Sequence, residues 1–541
     1  MVTALRRAGH RTRIDWSILP IHPILAAAYP VLFLFAQNIA DQVTLSPLWG
    51  PLAVAVGGAG IVLVVARLVV GDWLRAALLS TLLAALFFSF GHLWFILGEA
   101  IDLRRYLIGA YAVVGLGAAW LIWRGGRWVA PATRALNAVL AGLLLINAFN
   151  IGSFVAGAAG GTSAAVPASV SPEGHARPDV YYIILDRYAN QWTLDNLYAH
   201  DNSSFLDELR ARGFYVADDA WANYFKTAFS VSSSLDMSHL DGAALGAQAV
   251  VGQEFGPIHA KLRGHLAGPL TFRSLGYEYV HIGTFWEPSA TNVDADVTFN
   301  YGDGLEFSTA LGETTALSLL SPARPAATER TIYTGDLVRR FHEFGFTQLE
   351  QAAGREGPTF VFAHFLLPHP PYVYMPDGSA PTAADGPRTD EERYVDQVRY
   401  TNRRVLSAID SITRAPGGEE AVIILQADEG PFPPEFDESQ RTFAWLEATP
   451  EQVAQKFGIL NAIRMPGVTP EAAGLHPRST PVNALRVVLN SYFDAGLPLL
   501  PDTIYLSPDY PRAYDFVEVQ RGEDEMPIMP AVVGDPGGPQ P

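Results

Sequence analysis

Two apolar runs in this chain each end in acid. The run 179–186 (DVYYIILD) stops at Asp186, and the run 421–430 (AVIILQADEG) stops at Asp428 and Glu429. A buried strand that ends on a carboxylate is how an open α/β sheet presents a ligand or catalytic group at its carboxyl edge. Two such strands can bring carboxylates from distant sequence to one place, and hard oxygen donors so gathered suit a divalent cation. The chain has no cysteine. That excludes disulfides, thiolate metal sites and a cysteine nucleophile, and leaves the redox compartment open.

The elements that must position these acids follow from the pattern around them. Strand-like segments recur at 214–216, 277–283, 359–365 and 461–465, and helical spacing at 195–213, 306–317, 332–344, 391–412 and 482–493. Strands alternating with helices predict a doubly wound α/β sheet covered on both faces.

The first part of the chain has a different composition. Four arginines (Arg6, Arg7, Arg11 and Arg13) precede five apolar stretches at 16–40, 51–70, 74–97, 106–123 and 136–156. Each is close to the ~20 residues that cross a bilayer core as helix. The expectation is a five-span transmembrane domain over 1–156, a Gly/Ala/Ser/Pro-rich linker at 157–177, an α/β domain over 178–521, and a disordered tail at 522–541. Arginines crowd the N-terminus, the second loop (Arg67, Arg75) and the fourth (Arg124, Arg127, Arg134). The positive-inside bias then predicts a cytoplasmic N-terminus and an α/β domain outside the membrane.

Charge divides along the same boundary. Of the 37 basic and 55 acidic residues, twelve basic and six acidic fall in 1–177, which leaves 25 and 49 for the remainder. An acidic α/β portion argues against nucleic acid as a partner, because neutralising phosphates needs a basic face.

Four blocks in order carry a family resemblance: 178–186 (PDVYYIILD), Asn223-Tyr224 with Thr227 and Ser230, 364–372 (HFLLPHPPY) and 424–431 (ILQADEGP). The later run 481–490 (PVNALRVVLN) fits the same group. Together they resemble the alkaline phosphatase superfamily. The nearest resemblance is to its membrane-anchored sulfatase-like branch, which includes lipoteichoic acid synthases and phosphoethanolamine transferases. The five-span anchor resembles that branch too.

The resemblance implies a metal site made by Asp186, Thr227, Asp428 and Glu429, with Thr227 as the nucleophile. A hydroxyl needs its pKa lowered, which coordination to a divalent cation does, and the N-terminus of the following helix would favour an incoming phosphate. Ser230 and Ser232 are rival nucleophiles. His369, in a loop stiffened by prolines, resembles the histidine that contacts the substrate oxyanion or protonates the leaving group. His364 and His281 are candidates for supporting positions.

The sequence departs from the family at Glu429, where the usual motif has histidine. With glutamate there the donor set is all oxygen, which favours Mg²⁺, Mn²⁺ or Ca²⁺ over Zn²⁺. No Cys/Ser-x-Pro-x-Arg motif follows the first strand, so a sulfatase of the formylglycine type is excluded. The reading is an extracytoplasmic metal-dependent phosphoryl transferase or hydrolase in a bacterial cytoplasmic (inner) membrane. It would act on a membrane lipid headgroup or an envelope glycan. The alternative is a catalytically degraded relative that binds or scaffolds envelope components.

Overall fold

The computed structural model describes residues 18–39, 45–97, 101–158, 177–250, 254–302, 305–320, 335–436, 443–508, 511–521 and 527–528. By contact these fall into two units: a helical one made of residues up to 157 together with 305–320, and an α/β one made of the rest. Most of the expected linker and tail lies outside the described residues. Pro527 and Ile528, within the tail, pair with a neighbouring strand.

The helical unit has five N-terminal helices: α1 (His22–Gln37), α2 (Ser46–Val70), α3 (Trp73–Ile96), α4 (Ile101–Trp123) and α5 (Val129–Ala158). Four of them, α2 to α5, are long and apolar enough to cross a membrane. The expected first span differs. α1 has 16 residues, about 24 Å at the rise of a helix against a bilayer core of ~30 Å. Prolines set its start: Pro20 disfavours helix in the residue before it, and Pro23 occupies the first turn, the one place a helix accepts proline readily. The five expected spans are thus four long helices and one short one.

The α/β unit is built on a seven-stranded sheet of β1 (Val180–Leu185), β2 (Phe214–Val216), β3 (Glu278–Ile282), β4 (Val297–Phe299), β5 (Thr359–Phe365), β6 (Val422–Gln426) and β7 (Asn461–Arg464). The order is β2-β7-β6-β1-β5-β3-β4. The β4, β3, β5, β1 and β6 strands run parallel; β7 is antiparallel to β6, and β2 to β7. Every residue of β1, β5 and β6 is buried, which is why these runs are continuously apolar rather than alternating.

Both faces are covered. On one, Val180, Tyr182 and Ile184 pack with Phe360, Phe362, Val422 and Ile424 against Val231 and Leu235 of the helix Thr227–Asp236. On the other, Phe365 stacks on Phe346 of the helix Gly335–Ala352 with ring centroids 4.2 Å apart. The predicted helix at 391–412 is Asp390–Arg414, started by a Thr389/Glu392 capping box.

Candidate metal centre

Strand register gathers the site. β1 pairs in parallel with both β5 and β6, with Ile184 opposite His364 on one side and Gln426 on the other. Continuing that register two residues brings Asp186 level with Asp428, on the face that already carries His364. One imidazole nitrogen and one carboxylate oxygen from each aspartate lie within 4.8 Å of one another, and all three residues are buried. His364 Nε2 is 3.9 Å from Asp186 Oδ2.

Thr227 reaches the same place from the other layer. It is the first residue of the helix Thr227–Asp236, after the extended Lys226. The packing of Val231 and Leu235 on the sheet holds that helix start beyond the carboxyl ends of β1 and β6. The Thr227 hydroxyl is near enough to the Asp428 carboxylate to favour its charged form. Its rivals are occupied or enclosed: Ser230 Oγ donates to the Tyr224 carbonyl at 2.8 Å, and Ser232 is fully buried.

The electrostatics are those of a site lacking positive charge on one side. Burial, then the charges of Asp428 and Glu429, hold Asp186 well above the usual carboxylate range. Burial and Glu429 push Asp428 up to about 7. Burial pushes His364 down to about 3, so its ring is neutral. Its Nδ1 lies 2.9 Å from Ser289 Oγ; with that nitrogen as the donor, the Nε2 lone pair faces the acids. Asp186 Oδ1, Asp428 Oδ2 and His364 Nε2 are buried without a hydrogen-bond partner. Orphaned buried polar atoms each cost ~1–3 kcal/mol. Asp186, Asp428 and His364 converge, and Glu429 Oε2 is likewise buried without a partner; carboxyls and a neutral imidazole so gathered fit a divalent cation.

Glu429 is adjacent to Asp428 in sequence yet sits in other company. Its Oε1 lies 2.7 Å from Lys456 Nζ and 3.5 Å from Arg187 Nε. The Lys456 ammonium also donates to the Gly430 carbonyl at 2.9 Å and lies 3.2 Å from the centroid of the Phe432 ring. Arg187 covers the same ring at 4.4 Å, and its backbone is left-handed, with φ 62°. Burial lowers Lys456 to about 8. Asp186 and Asp428 come together with Thr227 and with His364; Glu429 turns Oε1 to two cations and leaves Oε2 buried without a hydrogen-bond partner.

His369 stands in the loop after β5. Its Nδ1 is hydrogen-bonded to the Pro370 carbonyl. Burial, then the charge of Arg187, holds the ring well below its ordinary value. The loop is fixed from beneath by Gln397, whose amide donates to the His369 carbonyl at 2.8 Å and accepts from the Val373 backbone N–H at 2.9 Å. His281 lies further back, its Nε2 3.0 Å from the Ser289 carbonyl oxygen.

Sequence reading missed Lys456, Arg187 and Gln397. One signal was available: Val453, Lys456 and Phe457 share the three-and-four spacing of a helix face that must be buried, and a lysine on that face needs an anion. Arg187 and Gln397 carried no such mark.

No protein-family model matches the chain, and no curated protein sequence matches it. Solved structures with a similar arrangement include the C-terminal periplasmic domain of EptC from Escherichia coli in complex with Zn (13% identity, 64% of this chain and 94% of that one, TM-score 0.37). The lipoteichoic acid synthase LtaP from Listeria monocytogenes aligns at 12% identity over 66% and 84% of the two chains, with TM-score 0.39. The integral membrane lipooligosaccharide phosphoethanolamine transferase EptA from Neisseria meningitidis aligns at 14% over 86% and 94%, with TM-score 0.36. At these scores the likenesses carry no argument about chemistry, which rests on the side chains above.

Proposed function

We propose that this chain is a metal-dependent phosphoryl-group transferase or hydrolase anchored in a membrane, with Thr227 as nucleophile and a lipid headgroup or envelope polymer as substrate. The observation that carries the reading is the Thr227 hydroxyl at a helix start, beside the Asp428 carboxyl and the orphaned atoms of Asp186 and His364. Asp186, Asp428 and His364 would hold the cation, with Thr227 beside them. A bound divalent cation supplies Lewis acidity that lowers the hydroxyl pKa and offsets phosphate charge.

The chain's own groups do the rest. The helix N-terminus behind Thr227 offers unpaired backbone N–H groups to an incoming phosphate. Attack of Thr227 Oγ on phosphorus would form a phosphothreonine and release the alcohol of the substrate. Water or an acceptor hydroxyl would then regenerate the threonine. With Nδ1 held by Pro370, His369 presents Nε2, a proton acceptor for the incoming alcohol and, once protonated, the donor to the leaving oxygen. The expected preference for Mg²⁺, Mn²⁺ or Ca²⁺ rested on Glu429 as an oxygen ligand. A set of two carboxylates and one imidazole also admits Zn²⁺.

The test is metal analysis and intermediate trapping on purified full-length protein. Stoichiometric divalent cation is expected in the wild type and in Thr227→Ala. Phosphate on residue 227, read by mass spectrometry after a phospholipid or phosphodiester pulse, is expected only in the wild type. Absence of cation from the wild type would leave the scaffold reading in its place.

A further inference from the structure

The chain leaves the helical unit after α5 and later sends one segment back. The helix Leu305–Thr314 and the short 3₁₀ turn Ala316–Leu320 belong to the helical unit, although the chain over 158–303 and from 329 on belongs to the α/β unit. The sequence pattern had placed them within the α/β domain.

The docking is specific. Phe307 meets Phe35 edge-on at 5.4 Å, and Phe307 and Leu311 share a buried cluster with Val31, Leu48 and Ile151. Gly91 makes the close approach possible, since a Cβ there would collide with the backbone at Glu313 and Thr314. These contacts mark one end of the bundle: the C-terminal parts of α1, α3 and α5 and the start of α2. It is the end from which the chain departs after α5.

The depth of the turn is marked as well. Arg104, near the start of α4, donates to the Ser318 carbonyl at 3.0 Å, and its guanidinium lies over Trp94 at 5.6 Å. Arginine and tryptophan at helix ends are the residues that sit at a bilayer's headgroup level. Around Ser318 the turn exposes three leucines, Leu317 (49%), Leu319 (37%) and Leu320 (82%). The turn packs on α3, whose C-terminal turns also expose Leu93, Phe95 and Ile96.

We propose that the segment 305–320 is an interfacial lipid-binding element, in which Leu317, Leu319 and Leu320 enter the headgroup–acyl boundary of the leaflet at that end of the bundle. The occupant is lipid because the turn packs on α3, a helix long and apolar enough to cross a membrane whose C-terminal turns expose Leu93, Phe95 and Ile96 as well, and because Arg104 and Trp94 set its level.

The absence of cysteine makes the test direct. Single substitutions L320C and L317C in the full chain are labelled with an environment-sensitive fluorophore and reconstituted into phosphatidylcholine/phosphatidylglycerol vesicles. Val113→Cys in α4 serves as lipid-facing control, and Asp207→Cys in the α/β unit as aqueous control. The expected result is quenching of residue 320 by shallow spin-labelled lipid within about twofold of that at 113, with iodide quenching well below that at 207. L317C repeats the test should L320C misfold. Iodide quenching equal to that at 207 overturns the proposal. So does protection from both quenchers, which would mean that a protein covers the ridge.

Discussion

Asp428 and Glu429 are chain neighbours, and the site treats them oppositely. Asp428 faces Asp186, a neutral imidazole and a hydroxyl, with one oxygen left without a partner. Glu429 faces an ammonium at 2.7 Å and a guanidinium at 3.5 Å. One side carries two carboxyls and a neutral imidazole; the other has protein cations. Glu429 Oε1 is paired with a lysine from the helix Pro450–Phe457, while its Oε2 has no hydrogen-bond partner.

The sharpest way to break this contrast is to remove the lysine. Lys456→Met leaves Glu429 buried against Arg187 alone and should destabilise the α/β unit by about 3–5 kcal/mol, read by denaturant unfolding. Lys456→Met with Glu429→Gln should recover most of that loss. A double variant as unstable as the single would mean that Lys456 acts through packing on Phe432 rather than through charge.

Next in size is cation affinity. Asp186→Asn or Asp428→Asn should weaken binding by on the order of 100-fold or more in titration calorimetry, whereas Glu429→Gln should change it less than about tenfold. Equal losses at all three positions would restore Glu429 to the ligand set and erase the contrast.

A pH series sharpens it further. Asp428 stands at about 7 in the folded, ion-free protein against an ordinary 3.8. A carboxyl raised on folding holds its proton more tightly when folded. Its contribution therefore favours the ion-free fold at low pH and turns unfavourable as pH rises through that interval. Chelator-treated protein should lose thermal stability between about pH 4 and pH 7, and added cation should restore more above neutrality than below it. A restoration independent of pH would place the cation elsewhere. The smallest effect belongs to the loop. Gln397→Ala should cost about 1–3 kcal/mol by stranding the carbonyls of the loop that carries His369, and should raise KM more than it changes cation affinity.

Much of this was legible from residues alone. The acid-ended runs at 186 and 428 mark strands because they are short, rich in β-branched and aromatic residues, and bounded by acid and turn residues. The helices α2 to α5 follow from hydropathy, and spacing predicted 391–412 of the helix that spans Asp390–Arg414. These are local signals, set by the period of burial and by the chemistry of chain ends. The first span was overcounted because two prolines near its start outweigh its apolar composition.

What the sequence determined by itself is therefore which runs are buried and that two of them end in carboxylate. Three things were decided only by the tertiary structure. The β1–β5–β6 register moved His364 from a supporting candidate to the group beside Asp186 and Asp428. The packing of the helix Pro450–Phe457 brought Lys456 to Glu429. The fold also returned 305–320 to the helical unit, against a pattern that reads as one more helix of the sheet domain. The reason is common to all three. Burial periodicity reports that a side chain is inside, whereas its partner is fixed by pairing across the chain, and that distance leaves no trace in spacing.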